Sequence, residues 1–546
     1  MKSDRLGGST GLSGPVFLAS ALFAGMVVQL AAAAQGLAQD AEAGKVVYDL
    51  WCAECHGVNG AGDGPAAASM LPRPRDFTQA RYQIRRTGSG QLPTDDDIRA
   101  AIRDGLPGTT MPGWPNLSAR ETEDVIAYLK SFSRFFGMGD PPQPMELGTD
   151  PGGGPAAIES GAAAYLALEC EACHGPSGRG DGASAPTLED WRGFPIRAAD
   201  LSEVWLFNGG SSVDDIHTRV LTGLDGTPMP AASDAMNAGV VTPEEVWALA
   251  HYVASLGPSQ APPLNEVVRV GRAEAGLPGD GDADSWGQAE AFYFPLGGQV
   301  IEPPRNFAPT VDGVWVQGLH DGNDVALRIQ WNDPSRSPDP SWDEWQLKVS
   351  ETLDMDGAFD LDASLAAVDA EITEDEPRGD AEGEVPRYPD RFYVQFPFEI
   401  PTSSQRPYFL MGDARNPVYL WTWDSEQGVG AARGRGLASA EELPEDAVAG
   451  QATWSEGRWT LYVRRALVPD PEADGITFAE GATIPVAFQA WDGSSGETER
   501  RSSISTWYYI LLEPPASNRV VVAPMIAMLL TGAFGLVLVR RAQSGD

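Results

Sequence analysis

Four cysteines occur in the 546 residues, as two pairs of identical spacing. Cys52-Ala53-Glu54-Cys55-His56 and Cys170-Glu171-Ala172-Cys173-His174 both read C-x-x-C-H. Thiols three residues apart on a helical turn share one side of it, with the imidazole beside them. Such a group can bond covalently to a porphyrin edge while the histidine ligates the iron, the pattern of c-type haem attachment. No cysteine remains for a disulfide or a zinc site. His56 and His174 fill one axial position each. The sixth position needs a soft or nitrogen donor from a distant loop. Met111, in Gly108-Thr109-Thr110-Met111-Pro112, and Met229, in Gly226-Thr227-Pro228-Met229-Pro230, stand 55 residues after their histidines. A thioether ligand stabilises ferrous iron and raises the potential. Met70 and Met236 are the competing donors, and neither repeats in register. His217 and His251 are read as helix-surface or core residues.

The elements that must hold these groups repeat with them. A shift of 118 residues superposes Cys52 on Cys170, Gly62-Asp63-Gly64 on Gly180-Asp181-Gly182, Asp96-Asp97-Ile98 on Asp214-Asp215-Ile216 and Met111-Pro112 on Met229-Pro230. Proline fixes φ in the methionine loop and keeps it out of a helix. The helix after it places Val125, Ile126 and Leu129 on one face. Both halves resemble the class I cytochrome c fold, over about residues 40–135 and 157–257. The expected order is cytochrome c module 1 at 39–135, a Pro/Gly linker at 136–156 and cytochrome c module 2 at 157–257. Pro141, Pro142, Pro144, Pro151 and Gly152 to Gly154 suit a semi-extended spacer.

Both ends address a membrane. Lys2 and Arg5 precede an apolar run from about Val16 to Leu30 and then small residues, the form of a secretory leader over 1–38. Val520 to Val539 carries no charge, is long enough to span a bilayer, and is followed by Arg540 and Arg541. The span, at 518–541, is thus expected as a single-pass anchor with a cytoplasmic C-terminus. Everything between would lie in the periplasm, where c haem is attached. The composition, 42% hydrophobic and 21% charged, is that of a globular protein. The net charge of -39 argues against nucleic acid, whose phosphates would be repelled. Lysine occurs only at Lys2, Lys45, Lys130 and Lys348.

From about residue 258 to 517 the pattern becomes β. Val325, Leu327, Ile329 and Trp331 alternate with other residues. Further strand-like runs fall at Phe392–Phe396, Trp459–Val463, Val486–Trp491 and Trp507–Leu512. Many short strands suggest a β-sandwich. The acidic stretch from Asp354 to Glu384 is read as a solvated loop, calcium being the other reading of its carboxylates.

This third domain resembles the haem-binding domain of the ethylbenzene dehydrogenase gamma subunit and its relatives. The resemblance rests on Leu319-His320-Asp321-Gly322 leading into Ile329-Gln330-Trp331-Asn332-Asp333. It rests also on Phe409-Leu410-Met411-Gly412-Asp413 with Pro417 to Trp423, and on Ala490-Trp491-Asp492-Gly493 before Ser503 to Trp507. It implies a subunit that serves a periplasmic molybdenum enzyme of the dimethyl sulfoxide reductase type. It also implies a non-covalent b haem held between a methionine and a lysine. Met411 matches the methionine. Arg501 and Ser502 stand where the lysine belongs, and a protonated guanidinium has no lone pair to give iron. Two outcomes stay open: a third haem on Met411, or a docking module without haem.

The expected fold class is thus multidomain: two all-α cytochrome c modules, one mainly-β sandwich and one transmembrane helix. The expected function is electron transfer by a membrane-anchored periplasmic cytochrome with two covalent c haems, or three haems if the β domain holds one. It would be a subunit or partner of a molybdenum oxidoreductase or another electron carrier rather than an enzyme itself. The alternative is a stand-alone dihaem enzyme, such as a peroxidase or thiol-oxidising cytochrome. Two in-register methionines oppose it, because catalysis needs an open sixth position.

Overall fold

The computed structural model describes residues 39–353, 385–400, 410–437, 439–443, 448–470, 475–515 and 519–545. The leader and the acidic stretch 354–384 lie outside them.

The first helical region is built on α1 (Ala41–Trp51), α2 (Ala53–His56), α3 (Asp95–Asp104) and α4 (Ala119–Ser131). The second uses α5 (Pro155–Ala167), α6 (Glu171–His174), α7 (Val213–Thr222), α8 (Ala232–Asn237) and α9 (Pro243–Ser255). The helix starts are written in the sequence. Thr94/Asp97, Ser118/Glu121, Ser212/Asp215 and Thr242/Glu245 form reciprocal capping boxes at α3, α4, α7 and α9. Each satisfies two backbone N–H groups that the helix leaves unpaired.

The first and last helices of each region cross through a glycine. A Cβ at Gly44 would lie 1.9 Å from the Asp124 carbonyl oxygen, and one at Gly161 would lie 2.1 Å from that of Ala248. Only glycine lets α1 meet α4, and α5 meet α9, backbone to backbone. Around each crossing a core closes: Tyr48, Ile98, Val125, Ile126 and Leu129 in the first, and Tyr165, Ile216, Leu249, Ala250 and Val253 in the second. Burying each aliphatic side chain here stabilises the fold by about 1.5–3 kcal/mol. The segment between the regions is extended, as its prolines require, but it is not free. Met145 N donates to the Arg86 carbonyl (2.8 Å), Trp247 Nε1 donates to Leu147 O (3.2 Å), and His251 Nε2 pairs with Asp150 (2.9 Å).

The β region contains β1 (Val267–Arg272), β2 (Phe292–Pro295), β3 (Gly297–Gly298), β4 (Gly313–His320), β5 (Asp324–Asn332), β6 (Arg391–Pro397) and β7 (Val418–Asp424). It continues with β8 (Gly428–Gly434), β9 (Ala440–Glu442), β10 (Ala449–Ser455), β11 (Arg458–Ala466), β12 (Thr483–Trp491), β13 (Ser503–Ile504) and β14 (Tyr508–Leu512). Among the described residues one α-helix, α10 (Asp343–Thr352), interrupts the strands. The strands form two faces joined through β12. Its first half, Thr483 to Val486, pairs with β14, and its second, Ala487 to Trp491, pairs with β6. The order is β10-β11-β5-β4-β1-β14-β12-β6-β7-β8-β9, with β1 parallel to both neighbours. The faces close on one apolar core, in which the Trp331 ring stacks on Phe392 at 4.6 Å. The expected sandwich is therefore one sheet folded upon itself. All but the first residue of β12 are buried, so its sequence runs apolar without alternation.

The last helix, α11 (Arg519–Ser544), is long and apolar enough to cross a membrane, with mean hydropathy 2.3 in the most apolar 18 residues of Val522–Ser544.

Candidate functional site

Each C-x-x-C-H lies at the junction of two short helical pieces, α1 with α2 and α5 with α6. Gly57 and Gly175 end the turns with φ of 76° and 78°. The four thiols are free and half-buried. Burial pushes the Cys52 thiol up to about 12 and the Cys170 thiol up to about 11, and it raises Cys55 and Cys173 as well. These are neutral thiols rather than reactive thiolates.

The two histidines are held alike. His56 Nδ1 bonds the Arg75 carbonyl oxygen at 3.0 Å, and His174 Nδ1 bonds that of Ala199 at 2.9 Å. A carbonyl only accepts, so Nδ1 carries the proton and Nε2 keeps its lone pair. Burial holds His56 down to about 4 and lowers His174 too, so both imidazoles are neutral at pH 7. A neutral ring with its second nitrogen fixed by a carbonyl is how a metal-ligating histidine is oriented.

The methionine loops superpose bond for bond. Thr109 Oγ1 donates to Leu106 O (2.7 Å) and accepts from Met111 N (3.2 Å). Thr227 Oγ1 does the same with Leu224 O (2.8 Å) and Met229 N (3.2 Å). Leu106 N and Leu224 N close the loops on the Met111 and Met229 carbonyls at 3.0 and 3.2 Å. The donor sets therefore suit a covalent haem in each region: Cys52, Cys55, His56 and Met111 in one, Cys170, Cys173, His174 and Met229 in the other. Met70 ends a 3-10 turn, and Met236 packs beside Ala232 and Val246. His217 stacks on Trp247 at 3.7 Å. None of these three shares a methionine-loop register.

Some supporting residues were hidden in the sequence. Tyr48 donates to Gly57 O and Tyr165 to Gly175 O, both at 2.6 Å, pinning the backbone just past each histidine. They differ by 117 positions rather than 118, because one extra residue precedes Cys170. Glu169 absorbs it at φ 55°, in the left-handed region. The carbonyls that hold the histidines are offset further: Arg75 lies 19 residues after His56, and Ala199 lies 25 after His174. The second region then shortens its next loop by the same six residues, which restores the register at the capping box. The apparently gapless repeat thus conceals two compensating length changes.

The two methionine loops meet the opposite region. A Cβ at Gly108 would lie 3.1 Å from the Leu206 carbonyl oxygen. Asp225, four residues before Met229, pairs with Arg85 at 2.8 Å, and the Arg85 side chain is fully buried. Arg85 also donates to Tyr82 O (2.9 Å), Thr222 O and Gly88 O (both 3.2 Å), while Arg219 Nη1 donates to Gln83 O (3.0 Å). The second region also docks on the β region. Asn332 Nδ2 donates to Asp200 (2.6 Å), Arg179 to Glu456 O (2.8 Å) and Arg197 to Thr310 Oγ1 (2.8 Å). Under this seam Glu203 and Asp312 share a hydrogen bond. Burial raises Glu203 well above the usual carboxylate range and pushes Asp312 up to about 6.

Met411 is a different case. It is 1% exposed, at φ 57°, with its N–H on Gln395 Oε1 at 2.8 Å. Val418, Leu420, Ala432, Leu437, Ala487 and Trp507 pack about it. None of these offers iron a lone pair, since the indole nitrogen only donates. Lys348 is bound by Glu189 and Glu344, and His320 Nε2 by the Glu513 carbonyl (2.8 Å). Among the described residues, then, the surroundings of Met411 do not fit a b haem held by the methionine–lysine pair that the resemblance implies.

A family model described as Cytochrome c matches residues 41–133 and 158–257. The chain is 31% identical over 127 residues to a putative respiratory nitrate reductase heme subunit of Haloferax mediterranei, covering 23% of this chain and 46% of that one. It is 28% identical over 138 residues to the dimethylsulfide dehydrogenase subunit gamma of Rhodovulum sulfidophilum, covering 23% and 51%. Among solved structures, a reducing HAO-like protein complex of Kuenenia stuttgartiensis aligns with 43% identity over 40% of this chain and 97% of that one, at a TM-score of 0.38. The chain thus spans about half the length of these two curated relatives. The helical part of the chain is a cytochrome c region, the family indicates covalently bound haem c, and the likenesses support a c-type cytochrome.

Proposed function

We propose that this protein passes single electrons through two covalent c haems. Cys52 and Cys55 would attach one and Cys170 and Cys173 the other. His56 with Met111, and His174 with Met229, would be their axial ligands. When bound, the group supplies a reversible one-electron couple. The protein holds the imidazoles neutral and aimed and keeps the methionine loops closed by threonine hydroxyls.

The observation that carries this reading is the repeated geometry. Two loops of unequal length deliver the same histidine-to-carbonyl bond and the same threonine-locked methionine. A single C-x-x-C-H arises by chance far more easily than this duplicated surround. The contacts between each methionine loop and the opposite region favour exchange between the two sites, since they hold the two regions together at those loops.

The resemblance to gamma subunits and the relative described as a nitrate reductase heme subunit favour a partner oxidoreductase of the molybdenum class. The β region would be its docking module, with no haem on Met411. The apolar α11 would anchor the assembly, with the haem regions on the periplasmic side. Optical redox titration of the haem-matured protein tests the central part. Two one-electron c-type transitions from six-coordinate low-spin sites are expected, and Met111→His and Met229→His should each lower one of them. A high-spin ferric site that binds cyanide or peroxide at once in the unaltered protein would sink the assignment and favour the enzymatic alternative.

A further inference from the structure

Two of the sequence fragments quoted for the β region, Trp331-Asn332-Asp333 and Trp491-Asp492-Gly493, take no part in the proposed electron path. The fold brings their aspartates together. Asp333 follows β5, Asp492 follows β12 and Asp390 precedes β6, so three strand ends supply one point. All three side chains are fully buried, and one carboxylate oxygen of each lies within 4.8 Å of the others. Among the described residues no Lys or Arg forms an ion pair with any of them.

The hydrogen bonds around the cluster are incomplete in a specific way. Asp333 Oδ1 accepts from Ser335 N (3.0 Å), and Asp492 Oδ1 from Ser494 N (2.8 Å) and Ser494 Oγ (2.6 Å). Asp390 accepts from Ser337 N (2.7 Å), Gly493 N (3.0 Å) and Trp459 Nε1 (3.2 Å). Among the described residues, Asp333 Oδ2 and Asp492 Oδ2 are buried with no hydrogen-bond partner. Such atoms are costly unless something pairs with them. Neither can pair with a neighbouring carboxylate without a proton or a cation between them.

We propose that Asp333, Asp390 and Asp492 bind one calcium ion. The donors are all hard oxygens, with no histidine or cysteine among them, which excludes the softer sites preferred by zinc and copper. Full burial leaves little space for retained water, so a flexible all-protein oxygen cage suits calcium better than magnesium. The ion would tie three strand ends where the second helical region docks. Asn332, beside Asp333, binds Asp200, and Ser495, three residues past Asp492, lies 3.3 Å from Arg197. These carboxylates are separate from the acidic stretch 354–384.

The test uses the full-length, haem-matured protein in detergent. Elemental analysis after exhaustive dialysis is expected to give one calcium per chain. Chelation with EGTA is expected to lower the unfolding temperature of the β region by several degrees, and added calcium alone to restore it. Asp333→Asn and Asp492→Asn, both near-isosteric, should each weaken calcium binding at least tenfold and lose the restoration. Because the acidic surface can gather calcium loosely, the variants decide the location. Unchanged stoichiometry and unchanged thermal response in both variants would overturn the proposal. So would a transition metal in place of calcium, or less than a tenth of an equivalent of calcium with no thermal response to millimolar calcium.

Discussion

Arg85→Met removes the centre of the seam between the two helical regions. The guanidinium is completely buried, pairs with Asp225 at 2.8 Å and makes three bonds to backbone carbonyls. Removing one partner of a buried ion pair costs about 3–5 kcal/mol, because the other charge is left unmatched. Asp225 is 17% exposed and keeps bonds from Gly90 N (2.9 Å) and Ser89 Oγ (3.3 Å), which reduces that figure. The stranded Thr222 and Tyr82 carbonyls add to it, at about 1 kcal/mol each. The net expectation is a loss of about 2–4 kcal/mol from the coupled unfolding of the two regions. Denaturant unfolding of the holoprotein, followed at the haem absorbance, reads it. A cycle with Asp225→Asn should return a coupling of about 1–3 kcal/mol. A single-variant cost under about 0.5 kcal/mol, the range of an ordinary surface substitution, would refute the packed seam and with it the short path between the sites.

Four further outcomes follow from other contacts. Gly161→Val drives a side chain into the Ala248 backbone and should cost at least about 3 kcal/mol, with the greater loss of haem signal at the second region; a loss confined to the first region would contradict the crossing at Gly161. The seam holding Glu203 and Asp312 should be firmest in acid. Their folded pKa values are raised, so their stabilisation is complete below about pH 4; that of Asp312 is lost as pH climbs through about 6, and that of Glu203 as pH climbs through its own raised value. The facing Asp200, Arg197, Arg458 and Tyr293 modulate that window, and Glu203→Gln should flatten the rise and fall of the denaturation midpoint with pH above 5. Electron exchange with a cationic carrier should slow steeply as salt rises, because a net charge of -39 steers it; a salt-independent rate argues for apolar docking. Deleting residues 519–546 should release the protein from membranes into the soluble fraction without altering its haem spectrum.

The chemistry of the helical regions was legible because it depends on residue types that cannot be exchanged. Thiol, imidazole and thioether recur in one register, and capping boxes mark where the helices begin. What escaped depends on backbone atoms. The Arg75 and Ala199 carbonyls that orient the histidines leave no trace in residue identity, and Tyr48 and Tyr165 were masked by the residue that Glu169 accommodates. In the β region the alternation in β5 located a strand, but its partners did not follow, since β1 pairs in parallel and β12 serves both faces. Two of the three buried aspartates, Asp333 and Asp492, stand in the quoted fragments as fold markers, and Asp390 stands in none of them. Their meeting requires three strand ends separated by up to 159 positions (333 to 492) to converge, which no local pattern encodes.

The most direct test of the account is the haem count of the mature protein, by pyridine haemochrome absorbance together with intact mass. Two haems bonded to each chain are expected, both of c type, with no extractable b haem. One haem fewer is expected in Cys52→Ala/Cys55→Ala and one fewer in Cys170→Ala/Cys173→Ala. A single attached haem, or an unaltered haem content in either double variant, would contradict it.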